Sequence, residues 1–162
     1  MLISLAKALK LKNRIVGRIN KIKSDIQQYN SVLQEQTHQV DVKKLFDLYS
    51  ELTENLIVLK TNIAIANTEL TKDNESIQHK IILLGELKAK LSWLSSLNTR
   101  SGIDRHSYQN TEMRFVATFN KNDVDNMCKE IESEIDFIQD ELDAYNHTCK
   151  IDVSQRMLDL VS

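Results

Sequence analysis

The stretch that decides the fold is residues 41–71, DVKKLFDLYSELTENLIVLKTNIAIANTELT. Its apolar side chains recur at alternating spacings of four and three residues, which is the pattern of one face of a long helix. The stripe consists of Leu45, Tyr49, Leu52, Leu56, Leu59, Ile63, Ala66 and Leu70. Asp41 precedes this stripe, and its carboxylate can accept hydrogen bonds from the free amides of a first turn. The sequence therefore predicts a helix capped by Asp41 and ending at about residue 71.

The rest of the chain carries the same helical pattern. It has 162 residues, no proline and three glycines, which excludes collagen-like, linker-rich and turn-rich all-β proteins. Three further stripes predict helices over about 4–35, 74–98 and 122–150. Leu2 belongs to the first of these stripes and Ile81 to the second. The predicted fold class is mainly all-α, an elongated antiparallel bundle of four long helices, coiled-coil-like, in a single helical domain covering residues 1–162. The predicted caps of the last two helices are Asp73 or Asn74, and Asn122. We expect the tail, residues 151–162, to form a further short helix or an ordered arm.

One stretch departs from the helical period. Residues 112–119, EMRFVATF, alternate in polarity with period two and include β-branched and aromatic residues. This pattern predicts one short β-strand, at about 113–119, before the last helix. Because a strand needs backbone hydrogen-bond partners, either residues 99–109 return as a hairpin or the same strand of a second subunit pairs with it. Charged residues make 99–109 poor strand material, so we expect a homo-oligomer in which this strand and the long helices form the interface.

Charge is segregated between the first and last predicted helices. Residues 1–24 contain basic residues and no acid, whereas the last helix is rich in acids. Laying one helix along the other, within or between chains, would relieve the repulsion; the alternative is two solvated faces. The formal net charge of −2 does not favour a nucleic-acid partner. A basic amphipathic stretch of this kind can also lie on an anionic membrane, although we consider a membrane partner unlikely.

No motif indicates a catalytic, cofactor or metal site, and we expect a protein that is not an enzyme. The four histidines lack the i, i+4 spacing of a helical metal pair, and there is no HExxH, paired CxxC, P-loop, GxGxxG or GxSxG. Cys128 and Cys149 would be about 30 Å apart on one helix, so they cannot pair within a chain. Lysines interrupt the apolar N-terminal run and no apolar run is long enough to span a membrane, so cytoplasmic localisation is the default expectation.

A polar segment lies between the third helix and the strand. Arginines at positions 100, 105 and 114 could together hold a phosphate or carboxylate in a bidentate grip. The alternative is a structural role in which Glu112 pairs with one of them. Residues 99–114 are therefore a candidate site for a small anionic ligand.

The order of these features resembles a family of small, uncharacterised bacterial helical proteins, some members of which are labelled septicolysin. The resemblance rests on LAKALKLKNRI at 5–15, NIAIANTEL at 62–70, IILLGELKAKLSWL at 81–94, RHSYQNTEMRFVATFNKNDV at 105–124 and IQDELDAYNHT at 138–148. It implies an α-helical protein without an established activity, and the label implies a pore-forming protein. His147 stands where the family usually has tryptophan. The polar points of the family pattern match Asn67, Arg105, Ser107, Glu112, Arg114 and Asn146.

The sequence thus predicts a non-enzymatic, cytoplasmic structural or interaction protein that self-associates. The alternatives are a membrane-active, septicolysin-like protein and a protein that binds a small anion at residues 99–114. The candidate interaction residues are Asn67, Arg100, Arg105, Ser107, Glu112, Arg114 and Asn146.

Overall fold

The computed structural model describes residues 1–31, 40–71, 74–106 and 111–160, with the backbone alone at 104–106 and 111–112. The described residues form, in chain order, β1 (Leu2–Ser4), α1 (Leu5–Tyr29), α2 (Val42–Ala66), α3 (Ile77–Ser95), β2 (Gly102–His106), β3 (Thr111–Phe115), α4 (Lys121–Thr148), β4 (Lys150–Asp152) and α5 (Gln155–Asp159). The prediction of a mainly helical chain is confirmed. The chain divides into two compact units, unit 1 with Met1–Ile77 and Asp143–Ser162, and unit 2 with Gln78–Leu142. The single domain and the four-helix bundle stay predictions.

Unit 1 is organised by the packing of α1 along α2. The hydroxyl of Ser4 caps α1 by accepting a hydrogen bond from the backbone N–H of Lys7 (3.3 Å). The buried residues of α1 recur every three or four positions and pack with those of α2 in one core: Leu5, Ala8, Leu11, Ile15, Ile19 and Ile22 with Leu52, Leu59, Ile63 and Ala66. Each fully buried Leu or Ile contributes about 1.5–3 kcal/mol. This contact therefore holds unit 1 together, and the predicted pairing of the first helix with the last stays a prediction.

The two ends of the described chain meet in unit 1. Strands β1 and β4 pair antiparallel, with Leu2 opposite Asp152 and Ser4 opposite Lys150. The helix α5 follows, capped by Ser154, whose hydroxyl accepts from the backbone N–H of Met157 (3.2 Å). The predicted short tail helix is confirmed. Leu2 was expected on the first helical stripe, and that prediction is wrong because residues 2–4 pair with β4 as a strand.

The Asp41 cap is confirmed, since its Oδ1 accepts from the backbone N–H of Lys44 (3.2 Å). The helices α1, α2 and α3 end at Tyr29, Ala66 and Ser95, earlier than their stripes predicted. For α2 the reason is local, because the chain turns after Asn67 and residues 70 and 76 form an isolated bridge. Within this turn Asn74 has φ +62°, so it supports the left-handed turn and is not the cap of α3. Asp73 and residues 32–35 lie outside the described residues.

Unit 2 pairs α3 with α4 in antiparallel fashion. Lys80, near the start of α3, contacts Glu141 of α4 (Nζ to Oε2, 2.6 Å), and Ser95, at the end of α3, contacts Cys128 (3.8 Å). Lys80 is 4% exposed, whereas Ile81 is 40% exposed. The prediction that Ile81 lies on the core stripe is therefore wrong. The ion pair with Glu141 lets Lys80 occupy the inward position.

A reciprocal capping arrangement starts α4. Oδ1 of Asn120 accepts from the backbone N–H of Asp123 (3.1 Å), and Oδ2 of Asp123 accepts from the backbone N–H of Asn120 (3.0 Å). The predicted cap, Asn122, is therefore wrong by two positions.

The predicted lone strand is one half of a β-hairpin. Strand β3 pairs antiparallel with β2, with Gly102 opposite Phe115 and Arg105 opposite Glu112. The prediction of a single strand at 113–119 is wrong in its bounds and in its isolation, since β3 is Thr111–Phe115 and its partner lies in the same chain. Gly102 has φ +109°, a conformation that favours glycine, at the first residue of β2. The backbone of β3 therefore no longer requires a second subunit.

Candidate functional site

A second apolar face runs along α2, on the side away from α1. Ile57, Val58 and Ile65 are 60%, 53% and 62% exposed, and Thr61 and Ala64 between them are exposed too. Spacings of three and four residues place these five side chains on one side of the helix. We call them the α2 outer face. Exposed large apolar side chains that form a contiguous stripe indicate an interaction surface.

The hydroxyl groups on this side of α2 bond back to their own helix. Thr61 Oγ1 donates to the carbonyl oxygen of Ile57 (3.0 Å), and Thr68 Oγ1 donates to the carbonyl oxygen of Ile65 (2.7 Å). Because each threonine satisfies its hydroxyl within α2, no partner is needed to bond it. Lys60 is the one charged residue between positions 55 and 68. The α2 outer face can therefore be covered without burying a charge or an unsatisfied donor.

A cleft of about 260 Å³ lies beside Ile65, between α2 and β4. It is lined on the helix by Asn62, Ile65, Ala66 and Glu69, and on the other side by Cys149, Lys150, Ile151 and Asp152. The helix residues have the spacing i, i+3, i+4, i+7, which is the four-residue hole that receives a side chain in helix packing. Asn62 Nδ2 already donates to the carbonyl oxygen of Asp152 (3.1 Å).

Tyr145 fixes the end of α2 that carries this cleft. Its hydroxyl donates to the carbonyl oxygen of Ala66 (2.7 Å) and lies 3.1 Å from Oε2 of Glu69. Burial of the hydroxyl raises the pKa of Tyr145 far above its ordinary value. The tyrosine therefore stays protonated and joins the last turns of α2 and α4, so the α2 outer face is held in place in unit 1.

Two of the predicted interaction residues lie at this junction. Asn67 is the C-cap residue of α2, and its backbone N–H donates to the carbonyl oxygen of Ile63 (3.1 Å). Asn146 follows Tyr145 in α4, and both asparagines are half-buried. The bond from Tyr145 to Ala66 thus brings the two chain segments together. Their interaction role stays a prediction.

The other predicted residues belong to the hairpin in unit 2. The Arg100 guanidinium lies 4.1 Å from the centre of the Phe115 ring, a cation–π contact. Arg114 is exposed and opposite Ile103 in the register. The backbone register sets Arg105 opposite Glu112, whose side chains, like the whole of Ser107, lie outside the described residues. An anion site at 99–114 stays a prediction, and Arg100 is already engaged with Phe115.

A basic surface covers the solvent side of α1. Its exposed members lie at spacings of three and four residues: Lys7, Lys10, Arg14, Arg18 and Lys21. Beside it is a cleft of about 290 Å³ whose floor includes Ile3, Leu11 and Leu158 and whose rim includes Lys7, Lys10 and Arg14. We call these five cations the α1 basic stripe.

Within the described ranges, no group of three or more His, Cys, Asp or Glu side chains is placed to hold a metal ion. Cys128 and Cys149 are free thiols, in agreement with the prediction that they do not pair. In the part of the chain that the structure describes, every helix is too short or too polar to cross a bilayer.

Sequence reasoning missed the α2 outer face because it followed the single stripe that became the core. The signal was present as a nearly charge-free run, residues 55–68, NLIVLKTNIAIANT. An amphipathic surface helix normally carries charged and polar residues opposite its core face. The missing charges, rather than the apolar period, mark this face.

Comparison with known proteins places the fold. The crystal structure of a functionally unknown conserved protein from Corynebacterium diphtheriae matches with a TM-score of 0.76 and 16% sequence identity, over 94% of this chain and 100% of that one. At this identity the likeness shows a shared fold. None of the curated proteins matches the chain. The family model of DUF6847, described as a family of unknown function, matches residues 12–151. The expected uncharacterised family is thus confirmed at that level, while the septicolysin label stays a prediction. The chain belongs to the DUF6847 family of unknown function.

Proposed function

We propose that this protein is a non-enzymatic structural or interaction protein that self-associates, and that its long helices supply the interface. The observation that supports this proposal is the α2 outer face. A helix that is apolar on two opposite sides packs against more than one neighbour, and within unit 1 α1 packs along one of these sides. Cytoplasmic localisation and the antiparallel bundle of four helices belong to the same proposal.

The free energy available from covering the α2 outer face suits reversible association. Full burial of one Ile or Val side chain contributes about 1.5–3 kcal/mol. Ile57, Val58 and Ile65 are between 53% and 62% exposed, so covering them in two copies contributes roughly 5–10 kcal/mol. Association costs about 4–15 kcal/mol of translational and rotational freedom. We therefore expect an oligomer whose population depends on protein concentration.

Light scattering after size-exclusion chromatography, over a range of loading concentrations, tests the proposal. The parent protein should exceed the 18.7 kDa mass of one chain as concentration rises. Ile57→Asp should return it to one chain, because the carboxylate would be desolvated at the contact. The matched control is Ile82→Asp, since Ile82 is 57% exposed on α3. A parent that stays at 18.7 kDa at every concentration overturns the proposal.

The membrane-active alternative has one observation in its favour. The α1 basic stripe adjoins Met1 and Leu2, which are both exposed, and basic residues beside apolar ones bind anionic lipid surfaces. Co-sedimentation and leakage with vesicles of phosphatidylserine and phosphatidylcholine test it against pure phosphatidylcholine. The variant Lys7→Glu/Lys10→Glu should lose any binding, and Lys43→Glu/Lys44→Glu on α2 is the control. Absence of binding by the parent rejects this alternative.

A further inference from the structure

We infer that the cleft between β1, α1 and α5 binds a free anionic amphiphile, a single saturated chain of about ten carbons that ends in a carboxylate or a phosphate. The chain lies on the apolar floor of the cleft, and the anionic head contacts the cations of the rim. All the described lining residues belong to unit 1. The inference does not depend on self-association, because the cleft shares no residue with the α2 outer face.

The floor of this cleft is apolar and comes from three elements that the fold holds together. Ile3 of β1, Leu11 of α1 and Leu158 of α5 form it, and Ile3 and Leu11 are only 7% and 5% exposed. The backbone N–H of Val153, between β4 and α5, donates to the carbonyl oxygen of Met1 (3.0 Å). Hydrogen bonds of the fold itself therefore shape the cleft, which suits a small-molecule site because such sites are usually pre-formed.

The volume of the cleft sets the length of the chain. An apolar cavity of about 150 Å³ holds benzene, a molecule of six carbons, so a cleft of about 290 Å³ accepts a chain of about ten. Each methylene group that leaves water strengthens binding by up to about four-fold. We therefore expect the affinity to rise with chain length as far as about ten carbons and then to level off.

The rim of the cleft carries charge of one sign. Lys7, Lys10 and Arg14 follow one another at spacings of three and four residues on the exposed side of α1, and none of the described lining residues is acidic. A cleft with cations above apolar walls focuses the electrostatic field and raises the local concentration of anions. The cleft beside Ile65 differs, because acidic and basic residues both line it. The rim therefore selects an anionic head group.

The acids of the adjoining elements are engaged with other groups. Asp152 of β4 has its Oδ1 2.6 Å from the α-amino nitrogen of Met1. Asp159 of α5 accepts from Nε2 of Gln155 at its Oδ1 (3.0 Å). Within α1 no acid precedes Asp25. The described lining thus keeps its net positive charge.

Methyl NMR of the full chain, titrated with sodium decanoate below its micelle concentration, tests the site. We expect saturable shifts at Ile3, Leu11 and Leu158, whereas Ile57, which is 60% exposed on α2, should not move. Decyl phosphate should give the same pattern. Acetate lacks the chain and decyltrimethylammonium reverses the charge, so neither should saturate the cleft. Hexanoate and octanoate should bind progressively more tightly, by up to about four-fold for each added methylene.

Two double variants on α1 separate the cleft from the rest of the α1 basic stripe. Lys7→Glu/Lys10→Glu removes two attractions and adds two repulsions at the rim, so decanoate should bind about ten-fold more weakly or worse. Arg18→Glu/Lys21→Glu makes the same change of charge outside the cleft and should weaken binding by less than about three-fold, because solvent and salt screen it. All four residues are exposed, so both variants should fold.

The other outcomes overturn the inference. If neither decanoate nor decyl phosphate gives saturable shifts, the cleft is not such a site. If Ile57 shifts together with the cleft residues, the amphiphile only coats exposed apolar side chains. An equal loss in the two double variants indicates attraction to the whole α1 basic stripe. Binding to phosphatidylserine vesicles without binding of the free amphiphiles favours the membrane-active alternative instead.

Discussion

The buried ion pair between Lys80 and Glu141 gives an asymmetric prediction. The two side chains are 5% and 32% exposed, and Nζ lies 2.6 Å from Oε2. Removing one partner of a fully buried pair costs about 3–5 kcal/mol, because the remaining charge is left without compensation. Since Glu141 is one-third exposed and Lys80 has a further polar interaction, we expect Glu141→Gln to cost less than this, about 1–2 kcal/mol.

The converse change should cost less. Lys80→Met keeps an unbranched side chain in the buried channel, and the Glu141 carboxylate that remains can be hydrated. We expect it to change the free energy of unfolding by no more than about 1 kcal/mol. The double variant should resemble Lys80→Met, because once the ammonium is gone the loss of its counter-charge matters little.

Urea titrations followed by far-UV circular dichroism and by fluorescence of Trp93, the one tryptophan in the chain, measure these changes. Trp93 lies in unit 2, the unit that contains the pair. Lys88→Met is the matched control, because exposed Lys88 makes only a 3.5 Å bond to Gln139 between the same two helices. If Lys80→Met proves as costly as Glu141→Gln, or if the two changes add in the double variant, the reasoning is refuted.

Three further predictions concern unit 1. Leu52→Ala should lower the free energy of unfolding by about 2–5 kcal/mol, because Leu52 is fully buried. Leu70 is 64% exposed, so Leu70→Ala should change the free energy of unfolding by no more than about 0.5 kcal/mol. Urea titration of the two variants compares these changes. Tyr145 should ionise well above its ordinary pKa, so the stability due to its buried protonated form is lost as the pH rises past about 10. Absorbance at alkaline pH should show a late phase that is missing in Tyr145→Phe. The bond from Arg156 holds the pKa of Glu51 below its usual 4.5, so the stabilisation from this pair is present above that pH and lost as the pH falls through the folded-state pKa. NMR titration of Arg156→Gln should return the pKa of Glu51 towards 4.5, and an unchanged value would contradict the assignment.

Local signals explain what the sequence predicted correctly. The α2 core stripe and the Asp41 cap depend on residues within a few positions of one another, so both were readable. The core face of α4 was readable for the same reason, with Val124, Ile131, Ile138 and Leu142 buried as its stripe predicted.

Pairing over long sequence separations explains the failures. Strands β1 and β4 are three residues each and lie about 150 positions apart, and nothing in either segment identifies the other. The hairpin was missed for a different reason. Its β2 strand contains Asp104, Arg105 and His106, residues that composition assigns to a loop, yet pairing with β3 satisfies its backbone. We correctly inferred that the strand needs a neighbouring strand to bond its backbone. We expected that neighbour in a second subunit, whereas it lies in the same chain.

The α2 helix shows where a periodic pattern stops being informative. Periodicity identifies one apolar face, and α1 covers it, which accounts for the stability of unit 1. Charged residues at the five positions of the α2 outer face would cost unit 1 little, since substitutions at exposed positions usually change stability by about 0.5 kcal/mol or less. The α1–α2 core therefore does not require Ile57, Val58 and Ile65 to be apolar. An apolar face that the packing of α1 on α2 does not require, with its hydroxyls bonded inward and its charges absent, is the observation on which the proposal of self-association rests.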